Sequence, residues 1–169
     1  TRLLDQEKID SAPGQTTANS LAKNGKSPVM VAIDGKLIAV LGIADTVKSE
    51  SAETVEQLKK LELQVGMVTG DNRQTAGVIA AALGIDQIAA ETLPGDKAEE
   101  IERLQTEGRK VAFVGDGIND APALAKSDVG IAMGTGTDVA IESAMITLVK
   151  GDLHGIVKAH NLSVAVMRN

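Results

Sequence analysis

The distribution of apolar and polar residues divides the chain at about residue 49. Before it, two short apolar runs, at about 29–33 and 37–43, are separated by Asp34 and Gly35. An Asp-Gly pair between two apolar runs is the strongest short-range signal for a β-hairpin, because both residues tolerate positive φ. The sequence therefore predicts two antiparallel strands in this part of the chain.

Residues 1–28 are polar and irregular, and we predict only one short helix within them. This helix covers Thr16 to Lys23 and is followed by Asn24 and Gly25, residue types that commonly end a helix.

From residue 49 onwards, helical and strand patterns alternate. The predicted helices cover 49–63, 72–84, 94–108, 119–127, 136–144 and 151–168. The predicted strands cover 65–69, 87–91, 109–115, 128–133 and 145–149. Such alternation indicates an α/β fold with parallel strands and helices on both faces of the sheet. The strands are continuously apolar, which is typical of a sheet covered on both sides.

Several residues are predicted to begin or end these helices. Ser49 or Ser51 is a candidate cap of the first helix, and Gly84 would end the second. Pro94 lies at the start of the third helix and Gly108 at its end.

Composition and charge exclude several classes of protein. With 169 residues, 43% of them hydrophobic and 24% charged, the chain has the composition of a globular domain. It has no cysteine, so it has neither a disulfide nor a thiolate metal site. A net charge of −6 without stacking aromatic residues or a basic run argues against nucleic-acid binding. No run of 18 apolar residues occurs, so we expect no membrane span in this chain, and its start without Met suggests a fragment or a processed product.

Polar loops follow three of the predicted strands. The sequences are TGDN at 69–72, GDGIND at 115–120 and MGTGTD at 133–138. Because ligands of open parallel sheets bind at the carboxyl ends of strands, we expect these loops to lie at one edge of the sheet.

The TGDN loop has two interpretations. The Thr69 hydroxyl, Gly70 and the start of the next helix would form an anion site, because free N–H groups and the helix dipole favour a phosphate. The alternative is an ordinary loop whose polar residues cap the helix.

The GDGIND loop is harder to explain as capping alone, because Asp116, Asn119 and Asp120 cannot all cap one helix. Two carboxylates this close repel each other unless a cation lies between them or one holds a proton. Oxygen ligands without His or Cys suit Mg²⁺, and Gly115 and Gly117 would let the backbone turn tightly. A solvated polar turn is the alternative.

Three other candidates carry less information. Lys97 is either a solvated surface charge or a cation that neutralises phosphate oxygens at the edge of the sheet. We interpret His154 and His160 as surface or packing residues, because a spacing of six does not put them on one helix face.

The segments MVTGDNRQTA, LPGDK and VGDGINDAPALAKSDVGIAMGTGTDVAIESA together resemble the phosphorylation domain of P-type ATPases. These pumps belong to the haloacid dehalogenase superfamily. The resemblance runs from about Ala44 to Asn169 and, through GTGTDVAIESA, LVKGDLHGIV and LSVAVMRN, is greatest with heavy-metal pumps. Copper(I) exporters come first among these, and zinc and cadmium pumps next.

The resemblance implies the fold class and two domains. Residues 43–169 would form the distal part of a phosphorylation domain, a haloacid dehalogenase-like Rossmannoid sheet that ends at the start of a membrane helix. Residues 1–42, with the hairpin, would be the C-terminal remnant of the nucleotide-binding domain, and GIADTVKSES (42–51) would be the hinge between them.

The resemblance also implies roles for individual residues. Asp116 matches the carboxylate that coordinates Mg²⁺, and Asn119 matches the amide that contacts phosphoryl oxygens. Asp120 matches the second carboxylate, which orients the site and its lysine. Lys97 matches that phosphoryl-binding lysine. In the TGDN loop, Thr69 matches the residue whose hydroxyl binds phosphate, and Gly70 and Asp71 match the other residues of that loop.

In this family the γ-phosphoryl group of ATP passes to an aspartate, and the aspartyl phosphate is later hydrolysed. That aspartate lies in a DKTGT motif, which this chain lacks, as it lacks membrane helices and their cysteine metal ligands. The resemblance therefore implies an inactive chain that needs the rest of its pump, at the cytoplasmic face of the cell membrane. The missing strand would lie between the strands that precede TGDN and GDGIND.

Two alternatives remain open from the sequence. One is a soluble phosphatase of the same superfamily, against which the missing nucleophile counts. The other is a non-catalytic module, derived from a pump, that binds phosphate or Mg²⁺.

Overall fold

The computed structural model describes residues 2–44, 47, 49–93 and 95–168. Pro94, the terminal residues and three residues of the predicted hinge (Asp45, Thr46 and Lys48) lie outside the described residues. The predicted roles of Pro94 at a helix start and of residues 42–51 as a hinge therefore remain predictions.

The N-terminal segment contains two helices and the predicted hairpin. Its elements are α1 (Arg2–Gln6), α2 (Ala12–Lys23), β1 (Ser27–Ile33) and β2 (Lys36–Ile43). The strands pair antiparallel, and Asp34 and Gly35 have φ values of 50° and 75°. Both values are positive, as a two-residue hairpin turn requires, so the predicted hairpin is confirmed.

Helix α2 begins at Ala12 rather than at the predicted Thr16. Its first turn includes Pro13, which is favourable there because its φ is already helical. A side chain at Gly14 would lie 2.6 Å from Leu37 Cδ2 on β2, so this turn packs directly on the hairpin. Tertiary packing therefore extends the helix into a stretch that looks like a loop in the sequence.

The alternating pattern predicted beyond residue 49 is confirmed. The helices are α3 (Ser49–Lys60), α4 (Arg73–Leu83), α5 (Asp96–Thr106), α6 (Ala121–Lys126), α7 (Asp138–Ser143) and α8 (His154–Met167), and a 3-10 turn covers Ile118–Asp120. The strands are β3 (Gly66–Val68), β4 (Gln87–Ala89), β5 (Ala112–Gly115), β6 (Val129–Met133) and β7 (Ile146–Leu148).

Helix ends follow the predicted signals in part. Gly84 ends α4 with a φ of 70°, and Gly108 follows α5 with a φ of 82°. Helix α3 already includes Ser49 and Ser51, and the residue before it lies outside the described residues. Neither serine occupies the cap position itself.

The parallel strands form two groups. Strands β3 and β4 pair with each other, while β5, β6 and β7 form a second parallel sheet in that order. Within the described residues β3 and β5 do not pair, so the single sheet suggested by the alternation is divided between them.

Each group has its own apolar core. One lies between β3, α3 and α4 and contains Val55, Ala80 and Ile85. The other lies between β5, α5, α6 and α7 and contains Ile101, Phe113, Ala123, Leu124 and Ala140. These cores fix the ends of β3 and β5, from which the predicted site loops emerge.

Helix α8 packs against α3 and has no buried residue. His154 lies near its start, with Nδ1 3.0 Å from Asp152 Oδ1, and His160 lies within it with a buried Nδ1. These positions fit the predicted surface or packing roles. Among the described residues, every helix is too short or too polar to cross a membrane.

Candidate phosphoryl-binding site

The Thr69 loop (residues 69–72) leaves the end of β3 and leads into α4. The Thr69 hydroxyl donates to Asp71 Oδ2 at 3.0 Å and accepts from the Asp71 N–H at 3.1 Å. Asp71 Oδ1 accepts a hydrogen bond of 2.6 Å from the hydroxyl of Ser27 on β1. The loop is thus held by side chains of its own and by the hairpin.

Asn72 is the residue in this loop that caps α4. Its Oδ1 accepts from the Thr75 N–H at 3.0 Å, so the capping interpretation holds for Asn72. Thr69 and Asp71 make no bond to the first turn of α4 within the described residues, which leaves them available for another role. Capping and anion binding are therefore divided between different residues of TGDN.

Gly70 is exposed, and a side chain there would have ordinary contact with the Thr92 carbonyl at 3.5 Å. Nothing in the folded chain therefore demands glycine at this position. A cleft of about 520 Å³ lies between this loop, α2 and β1, and Gly70, Asp71 and Ser27 are among its lining residues.

The Asp116 loop (residues 115–120) leaves the end of β5. The Asp116 carbonyl accepts from the Thr137 N–H at 2.9 Å, which joins this loop to the one that follows β6. A side chain at Gly136 would lie 2.5 Å from the same carbonyl, so only glycine lets the two loops approach so closely. The predicted proximity of GDGIND and MGTGTD is therefore confirmed.

Asp120 lies inside this loop. Its side chain is 11% exposed, and its Oδ2 accepts from the N–H groups of Asp116 at 3.2 Å and Gly117 at 3.0 Å. Its Oδ1 forms an ion pair of 2.7 Å with Lys97 Nζ, whose side chain is 17% exposed. Asp120 therefore stabilises the backbone of the loop and also holds the Lys97 side chain in place.

Burial opposes the ionisation of Asp120, but its hydrogen bonds favour it. The hydrogen bonds from Lys97 and from the N–H groups of Gly117 and Asp116, together with the charge of Lys97, outweigh the burial, so the pKa of the Asp120 carboxyl lies below its ordinary value. The carboxylate is thus charged at neutral pH. Two adjacent carboxylates require a nearby cation, and for Asp120 this cation is the side chain of Lys97.

Asp116 and Asn119 have different surroundings from Asp120. Both are exposed, and within the described residues neither side chain has a hydrogen-bond partner. An unpaired carboxylate at the end of a strand suits Mg²⁺, which usually takes one or two carboxylates and completes its shell with water and phosphate oxygens. Among the described residues, no three histidine or acidic side chains gather around one point.

The tight turn predicted at the two glycines of this loop does not depend on positive φ, and their predicted approach to a ligand remains a prediction. Gly117 has a φ of −102°, and Gly115 is not among the residues with positive φ, so neither makes a turn that other residues avoid. Instead, a side chain at Gly115 would lie 2.6 Å from Asp120 Cβ. Glycine is needed at 115 because the Asp120 side chain packs against that backbone.

The predicted site residues thus form two clusters. Lys97 and Asp120 are bonded to each other and lie beside Asp116, while Thr69 is bonded to Asp71. No hydrogen bond or ion pair among the described side chains joins the two clusters. The chain itself connects them, since the Thr92 N–H donates to the Thr69 carbonyl at 3.0 Å and α5, with Lys97, begins four residues later.

Comparison with known proteins identifies the family. The haloacid dehalogenase-like hydrolase family matches residues 5–128, and the chain belongs to this family. Its relatives include copper-transporting ATPase 1 of Rhizobium meliloti (strain 1021), 53% identical over 161 residues, which are 95% of this chain and 20% of that protein. The copper-exporting P-type ATPase of Bacillus subtilis (strain 168) is 49% identical over 168 residues, 99% of this chain and 21% of that protein.

Solved structures of P-type ATPases are also similar to this chain. A zinc-transporting PIB-type ATPase in its E2.Pi state superposes with a TM-score of 0.76 and 34% identity, over 95% of this chain and 26% of that one. The catalytic domain of the CPx-ATPase CopB-B superposes with a TM-score of 0.65 and 31% identity, over 77% of this chain and 52% of that one. The predicted resemblance to heavy-metal P-type ATPases is confirmed, and the chain spans about a fifth of the length of the curated relatives it matches.

Sequence reasoning missed Ser27 and Gly136. Ser27 lies 44 positions from Asp71 in a polar stretch, and nothing local marks it as a partner. Gly136 lies in one of the loops that the sequence singled out, and its contact with the Asp116 carbonyl depends on the pairing of β5 with β6.

Proposed function

We propose that this chain is part of the catalytic unit of a copper-exporting P-type ATPase and contributes residues that bind Mg²⁺ and the transferred phosphoryl group. The observation that carries the proposal is the arrangement at the end of β5. There Lys97 and Asp120 form a largely buried ion pair beside Asp116, whose carboxylate is exposed and unpaired within the described residues.

In this proposal each side chain has a defined task. Lys97 holds phosphoryl oxygens by charge while Asp120 keeps the lysine in place, and Asn119 donates its amide hydrogens to the same group. Thr69 donates its hydroxyl from the opposite loop, with Gly70 and Asp71 beside it. Asp116 would hold Mg²⁺, and the chemistry expected of that ion is neutralisation of charge on the phosphate oxygens.

The acceptor of the phosphoryl group would come from outside this chain. In the proposed reaction an aspartate carboxylate of a DKTGT segment attacks the γ-phosphorus of ATP, ADP leaves, and water later releases inorganic phosphate. The lack of pairing between β3 and β5 supports a place for that strand between them. Unpaired edges of this kind favour the addition of a strand.

We further propose that residues 1–42 are the end of a nucleotide-binding domain and that residues 43–169 are the distal part of the phosphorylation domain. Large apolar side chains of the hairpin are exposed, which supports a larger domain around it. They are Val29, Ile33, Ile38, Leu41 and Ile43. The partners would then be the other segments of the same pump, including its membrane helices.

Copper(I) is the proposed cargo, and its binding site would lie outside this chain. The names of the relatives support copper, whereas the zinc-transporting structure keeps zinc as the second candidate. The pump would act in the cell membrane, with this segment on the cytoplasmic side, where ATP is available.

Incubation of the chain with γ-labelled ATP and Mg²⁺ tests where the acceptor lies. The chain alone should acquire no acid-stable, hydroxylamine-sensitive label, because it has no DKTGT aspartate. A full-length protein that contains this segment and a DKTGT motif should acquire such a label in response to Cu⁺. Label on the isolated chain would contradict the proposal.

A further inference from the structure

We propose that Ser27 is a positioning residue for the phosphoryl site, and that its hydroxyl holds Asp71 and so allows the Thr69 hydroxyl to turn towards a bound phosphate. This inference rests on the proposed function, in which Thr69 binds phosphoryl oxygens. Ser27 belongs to β1 of the hairpin, outside the motifs that suggest the site.

The three side chains form a continuous row of hydrogen bonds. Ser27 Oγ donates to one carboxylate oxygen of Asp71 at 2.6 Å, and Thr69 Oγ1 donates to the other at 3.0 Å. All three residues are half-buried. In the arrangement observed, the hydroxyl hydrogen of Thr69 points to Asp71 and is not available to a phosphate.

Binding a phosphate therefore requires Thr69 to leave Asp71. A carboxylate that loses a donor away from bulk water is destabilised, unless another donor remains. Ser27 is that second donor, since within the described residues Ser27 and Thr69 are the side chains that donate to Asp71. Without Ser27, Asp71 would compete more strongly with the phosphate for the Thr69 hydroxyl.

Neighbouring contacts hold Ser27 in place. The carbonyl of Lys26 accepts a hydrogen bond of 3.1 Å from Thr75 Oγ1, and Thr75 is 1% exposed in the first turn of α4. A side chain at Gly25 would meet Val78 Cγ1 at 3.0 Å, so the turn before β1 also lies directly on α4. The base of the hairpin is thus fixed beside the Thr69 loop by contacts that do not involve Asp71.

The experiment is a titration of the 169-residue chain with inorganic phosphate in the presence of Mg²⁺, followed through backbone amide resonances. Ser27→Ala should weaken phosphate binding about five-fold, the effect of one hydrogen bond, and Ser27→Thr should restore it because the hydroxyl is kept. In an Asp71→Ala background, Ser27→Ala should change nothing further, since the competitor for Thr69 is gone.

Thr75→Val is the matched control. It removes the hydrogen bond from Thr75 Oγ1 to the Lys26 carbonyl and the one that Thr75 Oγ1 accepts from Asn72 Nδ2 at 2.9 Å. All hydrogen bonds of Asp71 remain, so phosphate affinity should stay at the level of the unmodified chain. An equal loss in Thr75→Val and Ser27→Ala would assign the effect to docking of the hairpin and overturn the inference. So would an effect of Ser27→Ala that persists in the Asp71→Ala background.

The result for the unmodified chain separates this inference from the proposed function. Absence of phosphate binding by that chain would contradict the phosphoryl site itself, and the role of Ser27 with it. Binding that Ser27→Ala leaves unchanged would contradict the role of Ser27 alone.

Discussion

At the scale of single residues, Asp116 and Asp120 carry the same carboxyl group in surroundings that give them different tasks. Asp120 is enclosed by two backbone N–H groups and Lys97, while the Asp116 carboxylate faces solvent. The enclosed group organises the loop, and the exposed group is the one that we propose binds a cation. This division follows from geometry, because the two residues are chemically identical.

The lowered pKa of Asp120 predicts how its contribution to stability depends on pH. Since its folded pKa is depressed, the contribution is complete above the ordinary carboxyl pKa of about 4 and is lost as pH falls through the folded value. Asp120→Asn should therefore lower the free energy of unfolding by about 2 kcal/mol at neutral pH, the typical value of hydrogen bonds to a charged group.

Urea unfolding from pH 7 to pH 3 measures this effect. The difference between the unmodified chain and Asp120→Asn should stay constant above about pH 5 and shrink below about pH 4. The carboxyl is protonated there first in the unfolded chain and, at lower pH, also in the folded chain. A difference that grows on acidification would show that folding raises the pKa of Asp120 rather than lowering it.

The contact between Gly115 and Asp120 predicts a large difference between two neighbouring glycines. A side chain at Gly115 would lie 2.6 Å from Asp120 Cβ, whereas one at Gly117 would lie 3.4 Å from Asp120 Oδ2. Gly115→Ala should cost about 2–3 kcal/mol because Asp120 must move away from its N–H partners. Gly117→Ala, the control, should cost less than about 1 kcal/mol.

Chemical denaturation of both variants tests this expectation. Equal stabilities would mean that the Asp120 side chain does not pack on Gly115, and the account of the loop would have to change.

The residue types of the site were predictable from sequence, but their pairing was not. GDGIND attracts attention because three polar side chains follow an apolar strand. Which carboxylate is buried depends on Lys97, 23 positions away, and on the path of α5. Ser27 had no sequence signal, because a serine in a polar stretch looks the same whether or not it meets a distant carboxylate.

At the scale of secondary structure, local backbone rules explain the elements that the sequence predicted well. The hairpin follows from Asp34 and Gly35, whose positive φ values need no tertiary partner. The start of α2 was missed because its first turn depends on contact with Leu37. Alternation orders the elements along the chain but does not say which strands pair. The division between β3 and β5 was expected only from the family resemblance, which places a missing strand between them.

Helix α4 offers a matched pair of glycines that tests the same local rules. Gly77 lies in its interior and Gly84 ends it with a φ of 70°, and a side chain would meet nothing within 4 Å at either position. Gly77→Ala should therefore stabilise the chain by about 0.5–1 kcal/mol, since alanine is the better helix former. Gly84→Ala should destabilise it by about 1 kcal/mol, because only the backbone conformation is strained.

Thermal or urea unfolding of the two variants shows directly whether each substitution raises or lowers the stability of the chain. A stabilising Gly84→Ala would contradict the left-handed end of α4.

At the scale of the whole molecule, the chain has two cores, two groups of parallel strands and a docked hairpin, and it spans about a fifth of the length of its pump relatives. The Thr69 loop follows a strand of one group and the Asp116 loop follows a strand of the other. Among the described residues, no side-chain hydrogen bond joins the two loops. A bound phosphate that touched both Thr69 and Lys97 would join them. We propose that the two loops are the two sides of one site, which a bound phosphate completes.

The phosphate titration with and without Mg²⁺ tests this account most directly when it is made on site variants. We predict that phosphate shifts the amide resonances of both the Thr69 loop and the Asp116 loop, and that binding is stronger with Mg²⁺. Lys97→Met should weaken phosphate binding both with and without Mg²⁺. Asp116→Asn should abolish the increase in phosphate affinity that Mg²⁺ gives and leave the affinity without Mg²⁺ unchanged. Lys110→Met, which removes a surface lysine paired with Asp128, is the control and should bind normally. Phosphate binding that ignores Mg²⁺ and is unchanged in Lys97→Met and Asp116→Asn would contradict the account.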